Sequence, residues 1–80
     1  MANTLREMPQ NGEIWHHFKD KLYEIICLAT HTETREQLVC YRALYGDYQY
    51  FVRPLTMFLS EVDHEKYPQV SQKWRFEKWN

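Results

Sequence analysis

Tyr41-Arg42-Ala43-Leu44-Tyr45-Gly46-Asp47-Tyr48-Gln49-Tyr50-Phe51-Val52-Arg53-Pro54 decides how this chain is read. Two runs rich in aromatic and apolar residues meet at Gly46-Asp47, a pair suited to a reversing turn. The stretch reads as a β-hairpin. Its rings and two arginines mark it as either the core of a small β-domain or an aromatic binding surface.

Side chains alternate along a strand, so the loop length decides which of them share a face. A two-residue loop at Gly46-Asp47 and a four-residue loop from Gly46 to Gln49 give the same faces. One then holds Tyr41, Ala43, Tyr45, Tyr50 and Val52, and the other Arg42, Leu44, Phe51 and Arg53. A three-residue loop swaps the assignment, and the sequence leaves that option open.

Outward from the hairpin, the apolar runs stay short and are β-branched or aromatic, which favours strands. Residues 13–19 and 22–30 read as strands separated by the polar pair Asp20-Lys21. Residues 31–36 form a polar connection, 37–45 a third strand and 50–53 a fourth. Pro54 fixes its φ and cannot donate to a ladder. It predicts one turn of 3₁₀ helix, with Leu55 and Phe58 on one face. Residues 59–62 suit another short strand and 63–66 a solvated turn. In the tail, Trp74 and Phe76 alternate with Arg75 and Glu77, which fits an edge strand, with a helix as the alternative.

Met8-Pro9-Gln10-Asn11-Gly12 is a loop signal, so residues 1–11 are expected to be a mobile or loosely docked arm. Residues 12–80 then form a single small domain. Several closely spaced short strands predict an all-β barrel or strongly bent sheet.

A chain of 80 residues has a thin stability margin, but 16% of these residues are aromatic and each ring buries a large area. The formal net charge of −1 argues against a global field that attracts nucleic acid or acidic membranes, while leaving room for a local basic patch. No apolar run is long enough to span a bilayer, and the start lacks the apolar stretch of a secretory signal. The expectation is a soluble, cytoplasmic protein without membrane partners.

The two cysteines are too few for a disulfide scaffold. A symmetric loop centred near Glu33-Thr34 places Cys27 opposite Cys40. That pairing raises a redox-switch reading beside the plainer one of two reduced thiols packed together.

Gly12, Trp15-His16-His17-Phe18-Lys19, Tyr23-Glu24-Ile25, His31-Thr32-Glu33-Thr34 and Leu38-Val39 form a recognisable series with Tyr41-Arg42-Ala43-Leu44-Tyr45-Gly46-Asp47 and Val52-Arg53-Pro54-Leu55-x-Met57-Phe58. This series resembles the bacterial domain-of-unknown-function family 1653 over roughly residues 12–62. The resemblance implies a small, mostly β domain similar to an SH3-like, partly open barrel. It implies no established activity, so no functional residue is carried over. Cys27 and Cys40 depart from the family pattern, in which Gly and Val are usual. The tail resembles the family only through Trp74-Arg75-Phe76.

Metal chemistry finds little support. His16 and His17 are adjacent and point to opposite faces of a strand, and no metal-ligand spacing occurs. No cofactor motif appears. With Gly12 and Gly46 the only glycines, there is no phosphate-cradling loop. Catalysis would need a nucleophile beside a base, such as a cysteine near His17, and nothing local brings them together.

Binding is the better-supported class. Tyr41, Tyr45 and Tyr50 can cage a cation, and Arg42, Arg53 and His17 can orient a ligand. Alternatively Trp15, Tyr48 and Phe51 stack bases while Arg42, Arg53 and Lys19 contact phosphate. Against both stands the need of so small a domain to bury its tyrosines. Arg42 and Arg53 can equally pair with Glu24 or Glu61. The expectation is a noncatalytic module for a peptide or protein segment, with a nucleic-acid accessory domain as the alternative and a small enzyme or redox-sensitive protein behind it.

Overall fold

The computed structural model describes residues 6–79. The chain runs β1 (Ile14–His17), β2 (Lys21–Thr30), β3 (Gln37–Ala43), β4 (Tyr50–Pro54), a single helical turn α1 (Leu55–Phe58) and β5 (Phe76–Lys78). The strands form one antiparallel sheet in the order β4-β3-β2-β1-β5. The all-β class, the first four strands and the edge strand in the tail are where the residue pattern placed them. Among the described residues no helix is long and apolar enough to cross a membrane.

Period-two alternation builds the core. Trp15 and His17 of β1, Tyr23 and Ile25 of β2, and Val39, Tyr41 and Ala43 of β3 all turn to the same side and are buried. Phe58 of α1 and Phe76 of β5 close that side, stacked with ring centroids 4.0 Å apart. Tyr41 packs against both rings. The β2–β3 register shifts between Ile25 and Cys27. Such a bulge bends and twists the strand, which helps the sheet wrap around the aromatic stack.

The wrap is incomplete. β4 and β5 are the two edges of the sheet, and among the described residues no ladder joins them. They approach through side chains instead, with the Arg53 guanidinium 5.7 Å from the centre of the Phe76 ring. The result is a partly open barrel with a seam between β4 and β5.

Three local expectations are corrected. The turn after Pro54 is α-helical rather than 3₁₀, with the Leu59 N–H donating to Leu55 O at 3.0 Å. Leu55 and Phe58 do share the core side. Residues 59–62 form no strand. Leu59 and Val62 are buried there, and the only sheet-like pairing is the bridge of Glu61 with Trp74.

The third correction concerns the hairpin. Tyr41 pairs with Phe51 and Arg42 with Tyr50, so the connection Leu44 to Tyr48 has odd length and the even-loop faces are swapped. Phe51 and Arg53 lie on the core side with Tyr41 and Ala43. Tyr50 and Val52 lie on the outer side with Arg42. Gly46 (φ 58°) and Tyr48 (φ 57°) both adopt the left-handed region, and the Tyr48 N–H closes the turn on Tyr45 O at 3.0 Å. A glycine takes that conformation without strain.

Of the expected arm, residues 1–5 lie outside the described residues. Arg6 donates to Leu59 O and Phe76 O, both at 2.8 Å, and Pro9 is fully buried.

A basic, tyrosine-lined cleft at the barrel seam

The open seam holds a cleft of about 470 Å³. Its walls come from five places in the chain: the end of β1 with the β1–β2 turn, the core face of β2 and β3, Tyr45 in the β3–β4 connection, Arg53 on β4, and the segment from Asp63 to Phe76. Among the described residues five cations line it, namely Lys19, Lys21, Arg53, Lys66 and Arg75, against one carboxylate, Asp63. Among the described residues none of the five forms a salt bridge. Their charge is held by hydroxyls and rings instead.

Arg53 Nε donates to the Tyr41 hydroxyl at 3.1 Å. Arg75 Nε donates to Ser60 Oγ at 3.1 Å. Both bonds use one edge of the guanidinium and leave its terminal nitrogens for other acceptors. The Lys21 ammonium sits 4.9 Å from the centre of the Tyr45 ring, and Lys19 and Lys66 flank Tyr67 at 5.5 and 5.4 Å. The neighbouring Lys19 ammonium holds the Tyr67 phenol below its ordinary pKa. The deeper Tyr23 phenol is pushed the other way, first by burial and then by its 2.6 Å bond with the Tyr45 hydroxyl.

His17 lies at the base of this arrangement, 9% exposed. Its ring stands edge-on to Phe76 with centroids 4.8 Å apart. Burial lowers its pKa to about 4, and the nearby charges of Arg53, Arg75 and Lys19 push in the same direction. Nδ1 accepts the Lys19 N–H at 3.1 Å, so the neutral ring carries its proton on Nε2. Through Nδ1 His17 is an acceptor that fixes the tight turn bearing Lys19.

His17, Tyr41, Tyr45 and Arg53 line this one cleft. Tyr41 is buried in the core and also lines the cleft, and Tyr45 stands at its rim. Arg42 and Tyr50 do not join them. Arg42 points to the outer face and pairs with Glu24 at 2.8 Å. Tyr50 is 68% exposed on that same face. The swapped hairpin register breaks the cage of Tyr41, Tyr45 and Tyr50 and removes Arg42 from any site shared with Arg53. The alternative stacking set also fails, because Trp15 is sealed in the core and Tyr48 lies beside Arg42 rather than at the cleft.

Sequence reasoning missed Lys21, Lys66, Tyr67 and Arg75. All but Lys21 arrive on the irregular segment after α1, where no period predicts which way a side chain points. The Lys66-Tyr67 pair and Arg75 beside Phe76 were the available signals. A second, smaller cavity of about 370 Å³ lies between Arg6, Trp15 and Trp74. It carries Glu7 and Glu77 beside its cations, so its charges are largely balanced from within.

The fold and cleft together define a small all-β domain with a cationic, phenol-rich opening in its barrel wall. The chain belongs to the family described as protein of unknown function, DUF1653, whose pattern matches residues 13–78. No curated protein and no solved structure matches it.

Proposed function

We propose that this protein is a noncatalytic binding module that takes an anionic peptide or protein segment in the seam cleft. The observation that carries this reading is the gathering of Lys19, Lys21, Arg53, Lys66 and Arg75 around one cleft, none of them in a salt bridge among the described residues. Cations gathered without carboxylate partners are a local reservoir of positive potential in a chain of net charge −1. The cleft falls within the range of ordinary ligand sites, roughly 300–1,000 Å³. Its phenol rings add apolar area with polar tips, and its guanidiniums can grip a carboxylate through two nitrogens.

A catalytic role has less to stand on. A histidine held near pKa 4 is a weak base at neutral pH, and no Ser, Thr or Cys among the described residues lines the cleft. The nucleic-acid alternative draws support from Lys19, Phe18 and Tyr67, which alternate charge and ring as stacking sites do. The compact size of the cleft and the acidic balance of the whole chain favour a short anionic segment over an extended backbone.

Fluorescence anisotropy with a labelled Glu-rich peptide and a labelled oligothymidylate, each at low and high salt, separates the readings. The proposal expects saturable peptide binding that Arg53→Ala weakens at least tenfold. Tighter binding of the oligonucleotide, lost steeply as salt rises, would contradict it.

A further inference from the structure

On the face of the sheet away from the cleft, Cys27 of β2 stands directly opposite Cys40 of β3. Opposed residues in an antiparallel ladder have Cα atoms about 4.5–5.5 Å apart, within the roughly 4.4–6.8 Å that disulfides span. Both thiols are free and only half-buried. Burial first, and the neighbouring Cys27 second, push the Cys40 thiol up. On its other side Cys40 faces Val52 of the edge strand β4, which is 62% exposed, so a small oxidant can approach across this face. The bulge beside Cys27 interrupts the regular ladder where the backbone would need to adjust.

We propose that Cys27 and Cys40 form a reversible dithiol–disulfide couple that is oxidised by hydroperoxides. Cys27, as thiolate, attacks the terminal peroxide oxygen. The O–O bond breaks, and the departing oxygen takes a proton to leave as alcohol, or as water when the oxidant is hydrogen peroxide. Cys27 is then a sulfenic acid. The Cys40 sulfur attacks it, the S–O bond breaks, and the hydroxyl leaves as water with the Cys40 proton. In sum, two thiols give up two electrons and two protons to one hydroperoxide, and a thiol reductant reverses the step by exchange. Cys40 is assigned the resolving role because burial pushes its thiol up, which disfavours it as the first nucleophile.

The test treats the full chain with hydrogen peroxide, then with dithiothreitol, and follows it by intact mass and thiol alkylation. The proposal expects a monomer lighter by two hydrogens, simultaneous loss of both alkylatable thiols, and full recovery on reduction. Cys27→Ser should leave Cys40 reacting more slowly, at least tenfold, and without the two-hydrogen loss. Independent addition of oxygen to each cysteine in the unsubstituted protein would overturn the proposal. So would disulfide-linked dimers in place of the lighter monomer, or both thiols surviving peroxide that oxidises free cysteine.

Discussion

The Nε of Arg53 donates to the hydroxyl of Tyr41 at 3.1 Å, across the ladder that joins β4 to β3. The bond does two things. It holds a cation over the opening of the barrel, and it satisfies a phenol whose ring is buried against Phe58 and Phe76. Core packing and ligand-facing charge therefore share one residue pair.

Arg53 should add to the effect of burial on the titration of His17. Removing its charge in Arg53→Leu should raise the His17 pKa from its value of about 4. The pKa should still stay below the usual 6.5, because burial is the larger cause. NMR titration of the imidazole protons measures this. An unchanged or lower pKa in Arg53→Leu would show that the two groups do not act on each other.

The depressed His17 pKa makes stability depend on pH in a defined direction. Between about 4 and 6.5 the unfolded chain binds a proton at this residue and the folded protein does not. Stability is thus complete above 6.5 and falls as the pH drops, by at most about 1.4 kcal/mol per pH unit. Glu13, whose pKa is also lowered, adds its own loss only at more acidic pH, below 4.5. Urea unfolding of the protein and of His17→Gln at pH 7, 6 and 5 should show the slope in the first and a flatter profile in the second.

Phe58 should be among the most costly positions to truncate. It is fully buried, stacked on Phe76 and in contact with Trp15 and Tyr41. Phe58→Ala should cost about 3–5 kcal/mol, a large share of the stability of so small a domain. Chemical denaturation gives the number directly. A loss below about 1 kcal/mol would mean that α1 does not hold the barrel seam.

The strands were legible because β-branched and aromatic runs bounded by Pro9, Gly12, Gly46 and Pro54 leave few other structures. The pairing of Cys27 with Cys40 was legible for a related reason, since a polar loop between two strands sets their register. The facing of the hairpin was not. One residue more or less between Ala43 and Gln49 turns every side chain of β4 over, and the left-handed conformation of Tyr48 that makes the loop odd has no sequence signal in a tyrosine. For that reason Arg53 and Tyr41 were placed on opposite faces although they touch. Arg75 and Tyr67 reach the site through irregular chain, where neither period nor turn chemistry applies.

The same register makes Arg42 a control. Arg42→Ala should cost at most about 1 kcal/mol of stability, because its partner Glu24 is partly exposed to solvent. It should leave cleft binding within twofold of the unsubstituted protein. Tyr50→Ala should behave in the same way. Anisotropy titrations with the Glu-rich peptide compare these variants with Arg53→Ala and Arg75→Ala, both of which should bind at least tenfold more weakly.

The most direct measurement is a chemical-shift map of the isotope-labelled protein titrated with the Glu-rich peptide. The account predicts saturable shifts at His17, Lys19, Arg53, Tyr67 and Arg75, with Arg42, Tyr50 and Val52 unmoved. Shifts centred on Arg42, Tyr50 and Val52, or no saturable shift at the cleft residues, would contradict it.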